Sequence, residues 1–311
     1  MFINNKLDMK LDFVCIGAQK AGTTKLHEIF KNHDSVFLPD EKEAHFFEIE
    51  ELYERGINYF FNTFYSNYKG KEPIIGLFDP NLQLDKLYVK RILDQFTDIK
   101  ILFVLRNPVT RAYSHYKMSK LRGFETNDFL TSLELEQNRL KNPKEYHKGY
   151  KTKNKGHFEK NHFGYISRGL YYEILYFLKE NIQESNYKII LFEDLVNNID
   201  EISNSICDFI NVPKFEQKIG KNKSNQAREL RFSWVNRFLK DSKLLDLSKI
   251  FASKKLKAKL KKLIIRMNSK NSTALNNLSS DEKKMIYNKY FKEEVLKIES
   301  DFNLNLSHWK Y

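Results

Sequence analysis

Between Gly17 and Thr24 the chain reads Gly-Ala-Gln-Lys-Ala-Gly-Thr-Thr, a lysine, two glycines and two hydroxyls within eight residues. Set between a strand and a helix, such a run binds anions. Amide groups at a helix start lack intrahelical partners, the macrodipole favours negative charge there, and the Thr23 and Thr24 hydroxyls add donors. The flanks predict that setting. Five of the six residues from Leu11 to Ile16 are apolar, as in a buried strand, and Leu26, Ile29 and Phe30 then share one helical face. A second anion-seeking group is Arg106, at the end of the apolar run KILFVL, where a guanidinium is costly unless it faces a cleft and an anion. Ser114 stands about two helical turns further on, where its hydroxyl can join Arg106 around one phosphate. Glu43 and His45 are spaced i and i+2, so in an extended segment both face one side while Ala44 and Phe46 turn inward.

A triphosphate-binding loop reads GxxxxGK[ST], whereas here Thr23 follows Gly22 and the lysine lies inside the loop at Lys20. That order weakens the case for ATP or GTP hydrolysis, in which the lysine reaches the terminal phosphates and the next hydroxyl holds magnesium. GAQKAGTT, followed by KEAHFF at Lys42 to Phe47 and LRNPVTRAYSHY at Leu105 to Tyr116, resembles the PAPS-dependent sulfotransferases. The similarity is to their carbohydrate branch, which includes heparan sulfate sulfotransferases and many bacterial relatives. It implies PAPS as donor, PAP as product and a hydroxyl of a glycan or other molecule as acceptor; no metal is expected, because the sequence holds no cluster of metal ligands at plausible spacing. On that resemblance Lys20 acts on the bridging oxygen of the leaving group, and Glu43 is the base for the acceptor hydroxyl with His45 beside it. Ala21, Gly22, Thr23 and Thr24 then cradle the donor, and Arg106 with Ser114 holds its 3′-phosphate. Arg228, in GKNKSNQAREL, is the expected contact of a loop closing over the nucleotide. One departure concerns the acceptor side: many relatives have a lysine and a hydroxyl before the proline of a third motif, where this chain has LFDPN at Leu77 to Asn81. Phe78 cannot replace a lysine, and Asp79 or Asn81 is expected to meet the acceptor instead.

The elements that position these residues alternate. Strands are predicted at 35–38, 73–78, 100–105 and 187–192, with helices at 51–65, 84–96, from Pro108 onward, 128–140, 166–178 and 202–210. Alternation of this kind argues for an α/β fold, a P-loop-like central parallel sheet flanked by helices, with ligands at the carboxyl ends of the strands. The polar stretch 141–161 reads as a mobile loop. Glu193 and Asp194 read as structural carboxylates at a helix start, and Arg111 is equally well a surface residue. A Ser-x-x-Glu capping box at Ser279 or Ser280 opens a helical C-terminal extension, expected to run as one helix.

The 311 residues, 41% hydrophobic with 25 phenylalanines, exclude global disorder, and no Pro/Gly/Ser-rich linker divides them. A single domain over 1–311 is expected, with the helical, lysine-rich region about 229–311 packed on or beside it. The net charge of +13 calls for an anionic partner, yet no nucleic-acid-binding signature is present. The lysines of 242–267 suit an acidic membrane or glycan, or a solvated helix face. Cys15 and Cys207 fit buried thiols in a reducing compartment. With no secretory signal or apolar span, a cytoplasmic, bacterial enzyme is expected. The alternatives are a nucleotide kinase, which needs magnesium and a Walker B acid, and a basic module that binds acidic polymers.

Overall fold

The computed structural model describes residues 9–144, 155–219 and 277–311. In chain order these form β1 (Phe13–Gly17), α1 (Thr23–Lys31), β2 (Val36–Phe37), α2 (Glu50–Tyr53), α3 (Gly56–Phe64), β3 (Ile74–Phe78), α4 (Lys86–Gln95) and β4 (Lys100–Leu105). Then come α5 (Pro108–Leu121), α6 (Phe129–Lys141), α7 (His157–Phe163), α8 (Tyr172–Asn181), β5 (Tyr187–Leu191), α9 (Phe192–Asn197) and α10 (Ile199–Ile210). Two further helices, α11 (Ser280–Ile286) and α12 (Lys292–Phe302), are joined by a π turn at Tyr287–Phe291. Arg228 and the lysine-rich 242–267 lie outside the described residues, as does most of the junction at about 229.

The strands pair in parallel in the order β2-β3-β1-β4-β5. β1 is therefore central, with Val14 opposite Leu77 on one side and Ile101 on the other, and all five of its residues are buried. Strands covered on both faces read as continuous apolar runs, which is why FVCIG and KILFVL carry so little alternation. Gly76 is required here: a Cβ would lie 2.3 Å from the Phe13 ring. A continuous buried cluster runs from Leu11 to Trp309, so α11, α12 and the segment after them pack on the same core as β1. The expected α/β sheet with flanking helices is the observed architecture, and it brings the C-terminal edges of β1 and β4 side by side.

Several boundaries differ from expectation for local reasons. The helix expected over 51–65 is two, because Gly56 takes φ 79° and breaks the run. Within 141–161, the residues from His157 are helical as α7, with buried His157, Glu159 and His162 supplying an inward face. The segment 166–178 begins with a 3₁₀ turn at Ser167–Gly169, and α8 starts only at Tyr172. α10 ends on Asn211 in the left-handed region, φ 60°, before Pro213 is reached. The Ser279–Glu282 capping box forms as expected, but the π turn interrupts the helix it opens. Arg111 is no surface residue: it is fully buried, and one end of its guanidinium donates to the carbonyls of Gly164, at 3.3 Å, and Tyr165.

Candidate functional site

The anion loop links the end of β1 to the start of α1. Gly22 is the N-cap of α1 at φ 83°, with no side-chain cap, so the first amides of the helix face the loop. A Cβ on Gly22 would lie 3.1 Å from the Phe192 ring, which adds a packing reason for glycine there. Lys20 is held at φ 73°, a conformation costly for a side chain of its kind. Its carbonyl accepts from Arg106 Nη1 at 2.8 Å, which ties the end of β4 to the loop. Arg106 also donates from Nε to Thr110 Oγ1 at 3.1 Å and lies over the Phe192 ring at 4.5 Å. Burial pulls its pKa down from the ordinary arginine value, and Glu193 opposes that. Ser114 is half-buried one turn beyond Thr110, and among the described residues no hydrogen bond joins it to Arg106. A phosphate between them, as expected from the spacing, would have to supply the link.

Lys42 is the group that the spacing argument missed. Its ammonium donates to Thr24 Oγ1 at 3.0 Å and Thr23 Oγ1 at 3.3 Å, and lies 3.5 Å from Glu43 Oε1. A second cation therefore stands at the anion loop, shared with the base candidate. Desolvation raises the Glu43 pKa, but Lys42 first and His45 second outweigh it and hold the carboxyl below its usual value. Glu43 is thus ionised at neutral pH and able to accept a proton, with its side chain 37% exposed.

His45 is positioned differently from expectation. The segment is not extended there: His45 has φ 55°, although Ala44 and Phe46 are buried as foreseen. Its Nδ1 pairs with Glu48 Oε1, its amide donates to Asp79 Oδ2 at 2.9 Å, and its Nε2 is 4.0 Å from Glu43 Oε2. Desolvation lowers its pKa, yet the Glu48 hydrogen bond, then Asp79, overcome this and push it up to about 9. Held as an imidazolium at neutral pH, His45 is placed to stabilise the charge of Glu43. Because the folded pKa is above the ordinary 6.5, this pairing stabilises the fold fully below about pH 6.5 and is lost as pH rises through about 9. The thermal midpoint should therefore fall between pH 7 and 10. His45→Asn, whose side chain tolerates positive φ, should flatten that fall, and equal slopes in the two proteins would remove His45 as its source.

Asp79 and Asn81, expected at the acceptor, are buried and serve His45 and Glu48 instead. Asn81 Nδ2 is 3.4 Å from Glu48 Oε1, and its Oδ1 accepts from Arg168 Nη2 at 2.8 Å. Desolvation, and then the nearby Glu48, raise the Asp79 pKa to about 7. Glu48 also accepts from or pairs with His157 Nε2 at 3.1 Å. Arg168 continues to Asn161 Oδ1 at 3.1 Å, which accepts from Gln19 Nε2 of the anion loop at 3.3 Å. The contacts close a ring, from Gln19 through Asn161, Arg168, Asn81, Glu48, His45, Glu43 and Lys42 back to Thr23 and Thr24. The sequence reading found no metal-ligand cluster, but the fold assembles one: ligand atoms of His45, Glu48 and Asp79 lie within 4.8 Å of one another. Those atoms are already engaged with each other and with the His45 amide.

The Sulfotransferase domain model matches residues 10–286. Mouse and human heparan sulfate glucosamine 3-O-sulfotransferase 5 are each 31% identical to the chain over 103 residues, which is 33% of this chain and only 29% of each relative. The crystal structure of a sulfotransferase from Alicyclobacillus acidocaldarius superposes with a TM-score of 0.67, at 20% identity, over 97% of this chain and 99% of the other. That likeness is one of fold. Among the described residues no helix is long and apolar enough to cross a membrane.

Proposed function

Because this chain belongs to the Sulfotransferase domain family, we propose that it moves the sulfuryl group of PAPS in line onto an acceptor hydroxyl, with Glu43 as base. The observation that carries this reading is Lys42, which joins the anion loop to Glu43 and so sets the proton acceptor beside the donor-binding hydroxyls. Sulfuryl transfer needs alignment, stabilisation of charge on the leaving oxygen and removal of the acceptor proton. The amides at the start of α1, together with Ala21, Gly22, Thr23 and Thr24, suit the 5′ end of the donor. Lys20 neutralises the leaving oxygen, Glu43 takes the proton, and Arg106 with Ser114 holds the 3′-phosphate. Lys42 limits the repulsion between Glu43 and the anionic donor. A glycan is the favoured acceptor class, from the matched stretch of the heparan sulfate enzymes. Contact of the basic segment 242–267 with acidic glycan or membrane is part of the same proposal.

Calorimetric titration with PAP, the product that carries both phosphates, tests this reading. Wild-type protein should bind PAP without magnesium, and Arg106→Ala should weaken it by about ten- to a hundredfold, since a charge-assisted phosphate contact is worth about 1.5 to 3 kcal/mol. Tight ATP–magnesium binding with no affinity for PAP would favour a kinase instead, and unchanged PAP affinity in Arg106→Ala would take that residue out of the site.

A further inference from the structure

Trp309 is fully buried, and its indole N–H must find a partner there. It donates to Glu193 Oε2 at 3.3 Å, while Glu193 Oε1 accepts from the Asn107 amide at 3.1 Å. The Trp309 carbonyl in turn accepts from Asn107 Nδ2 at 3.3 Å. Asn107 thus has three tasks: it contacts Glu193, it contacts Trp309, and its Oδ1 caps α5 by accepting from Val109 and Thr110 at 3.0 and 3.2 Å. The residue before it is Arg106. From the other side the Arg106 carbonyl accepts from the Tyr171 hydroxyl at 2.8 Å, and the Tyr171 ring packs edge-on against Trp309 at 6.4 Å. The Arg106 carbonyl through Tyr171, and the following residue Asn107 through Glu193 and its own side chain, therefore each lead within one step to the 3₁₀ turn at Ser307–Trp309. That turn is itself fixed to α12, where Glu299 accepts from the Leu306 amide at 3.0 Å and pairs with Lys310 at 2.5 Å.

We infer that residues 306–311 form a positioning strap for the donor-binding arginine, with Trp309 and Glu193 holding Asn107 so that Arg106 points at a phosphate. The strap is about two hundred residues away in sequence from the group it orients, and no side chain in it needs to touch the donor. A packing role alone would not require this chemistry. A phenylalanine would fill most of the volume of Trp309, whereas the indole N–H and the carboxylate of Glu193 link the turn to Asn107, with His308 of the same turn 3.9 Å from Glu193 Oε2. The inference rests on the reading that Arg106 binds the donor.

Trp309→Phe keeps a buried ring and deletes the N–H; Glu193→Ala deletes the shared acceptor. With full-length protein, titration of PAP should show affinity about five- to tenfold weaker in Trp309→Phe, the effect of losing one positioning hydrogen bond, and at least as weak in Glu193→Ala. KM for PAPS should rise in parallel while kcat at saturating donor stays within about twofold. The double variant should lose less than the product of the two single effects, because both act through Asn107. Arg106→Ala serves as the reference. If it weakens PAP binding while Trp309→Phe, folded by circular dichroism and thermal melt, binds PAP as wild type does, the strap inference is overturned and the donor site stands. A lower melting temperature with unchanged PAP affinity overturns it as well, since that is packing alone. If wild type binds no PAP, the reading on which the inference rests has failed.

Discussion

Glu43→Gln should lower kcat by about 10²- to 10⁴-fold at saturating donor and acceptor while PAP affinity stays within about twofold of wild type, because a general base contributes about that much to rate and little to ground-state donor binding. The substitution keeps the shape of the side chain and can still accept from Lys42, so the contacts to Thr23 and Thr24 survive. What it removes is the proton acceptor. His45 is not expected to take its place, because Glu48 and Asp79 push its pKa up to about 9. The residual rate of the variant should therefore show no recovery near pH 7, where a free histidine would become a base. A Gln variant with full kcat would exclude Glu43 as base, and a residual rate rising through pH 6 to 7 would return that role to an imidazole.

The loop expected to hold the donor was legible as structure in the sequence because it is built from local elements. A strand, a glycine loop and a helix start occupy one stretch from Leu11 to Lys31, and the free helix-start amides there follow from spacing alone. The place of Arg106 was legible for the same reason, since it directly follows the buried strand β4. The support of Glu43 was not. Glu48 follows KEAHFF directly, but its partners come from the turn after β3 through Asn81 and from α7 through His157, contacts 33 and 109 residues away in sequence. No periodicity predicts such a meeting. Extended geometry was a reasonable expectation for Lys42 to Phe47, and the positive φ of His45 arises because its amide and ring are both captured by buried carboxylates.

The departure at Leu77 to Asn81 has a corresponding explanation. In this motif the chain uses Asp79 and Asn81 to close the ring around Glu48, so their polar atoms are spent inside the protein. Phe78 is buried against Phe13 and the His27 ring, as a sheet residue rather than a substrate contact. Acceptor contacts must therefore come from elsewhere than this motif. If Glu43 is the base, as proposed, its exposed portion is where the acceptor hydroxyl would arrive.

Lys20→Ala should lower kcat by about 10²- to 10³-fold and also weaken PAP binding, a pattern that separates it from the Glu43 variant. Removing one preorganised donor from a site where charge develops costs about that factor in rate, and on the proposed function the same ammonium would also meet the donor's anionic oxygens before the reaction begins. The backbone adds a reason to expect the split. Lys20 is held at positive φ, and its carbonyl is fixed by Arg106, so the loop path rests on main-chain contacts that alanine retains. Alanine at that φ carries a strain cost of its own, and Lys20→Asn, which tolerates the conformation better, serves as the control for it. Both variants should lose rate together. Recovery of activity in Lys20→Asn, measured by transfer of labelled sulfate from PAPS at saturating donor, would mean that the backbone rather than the ammonium was at fault. Loss in both, with Lys42 still bridging Thr23 and Thr24, would assign the leaving-group charge to Lys20 and leave Lys42 with the base.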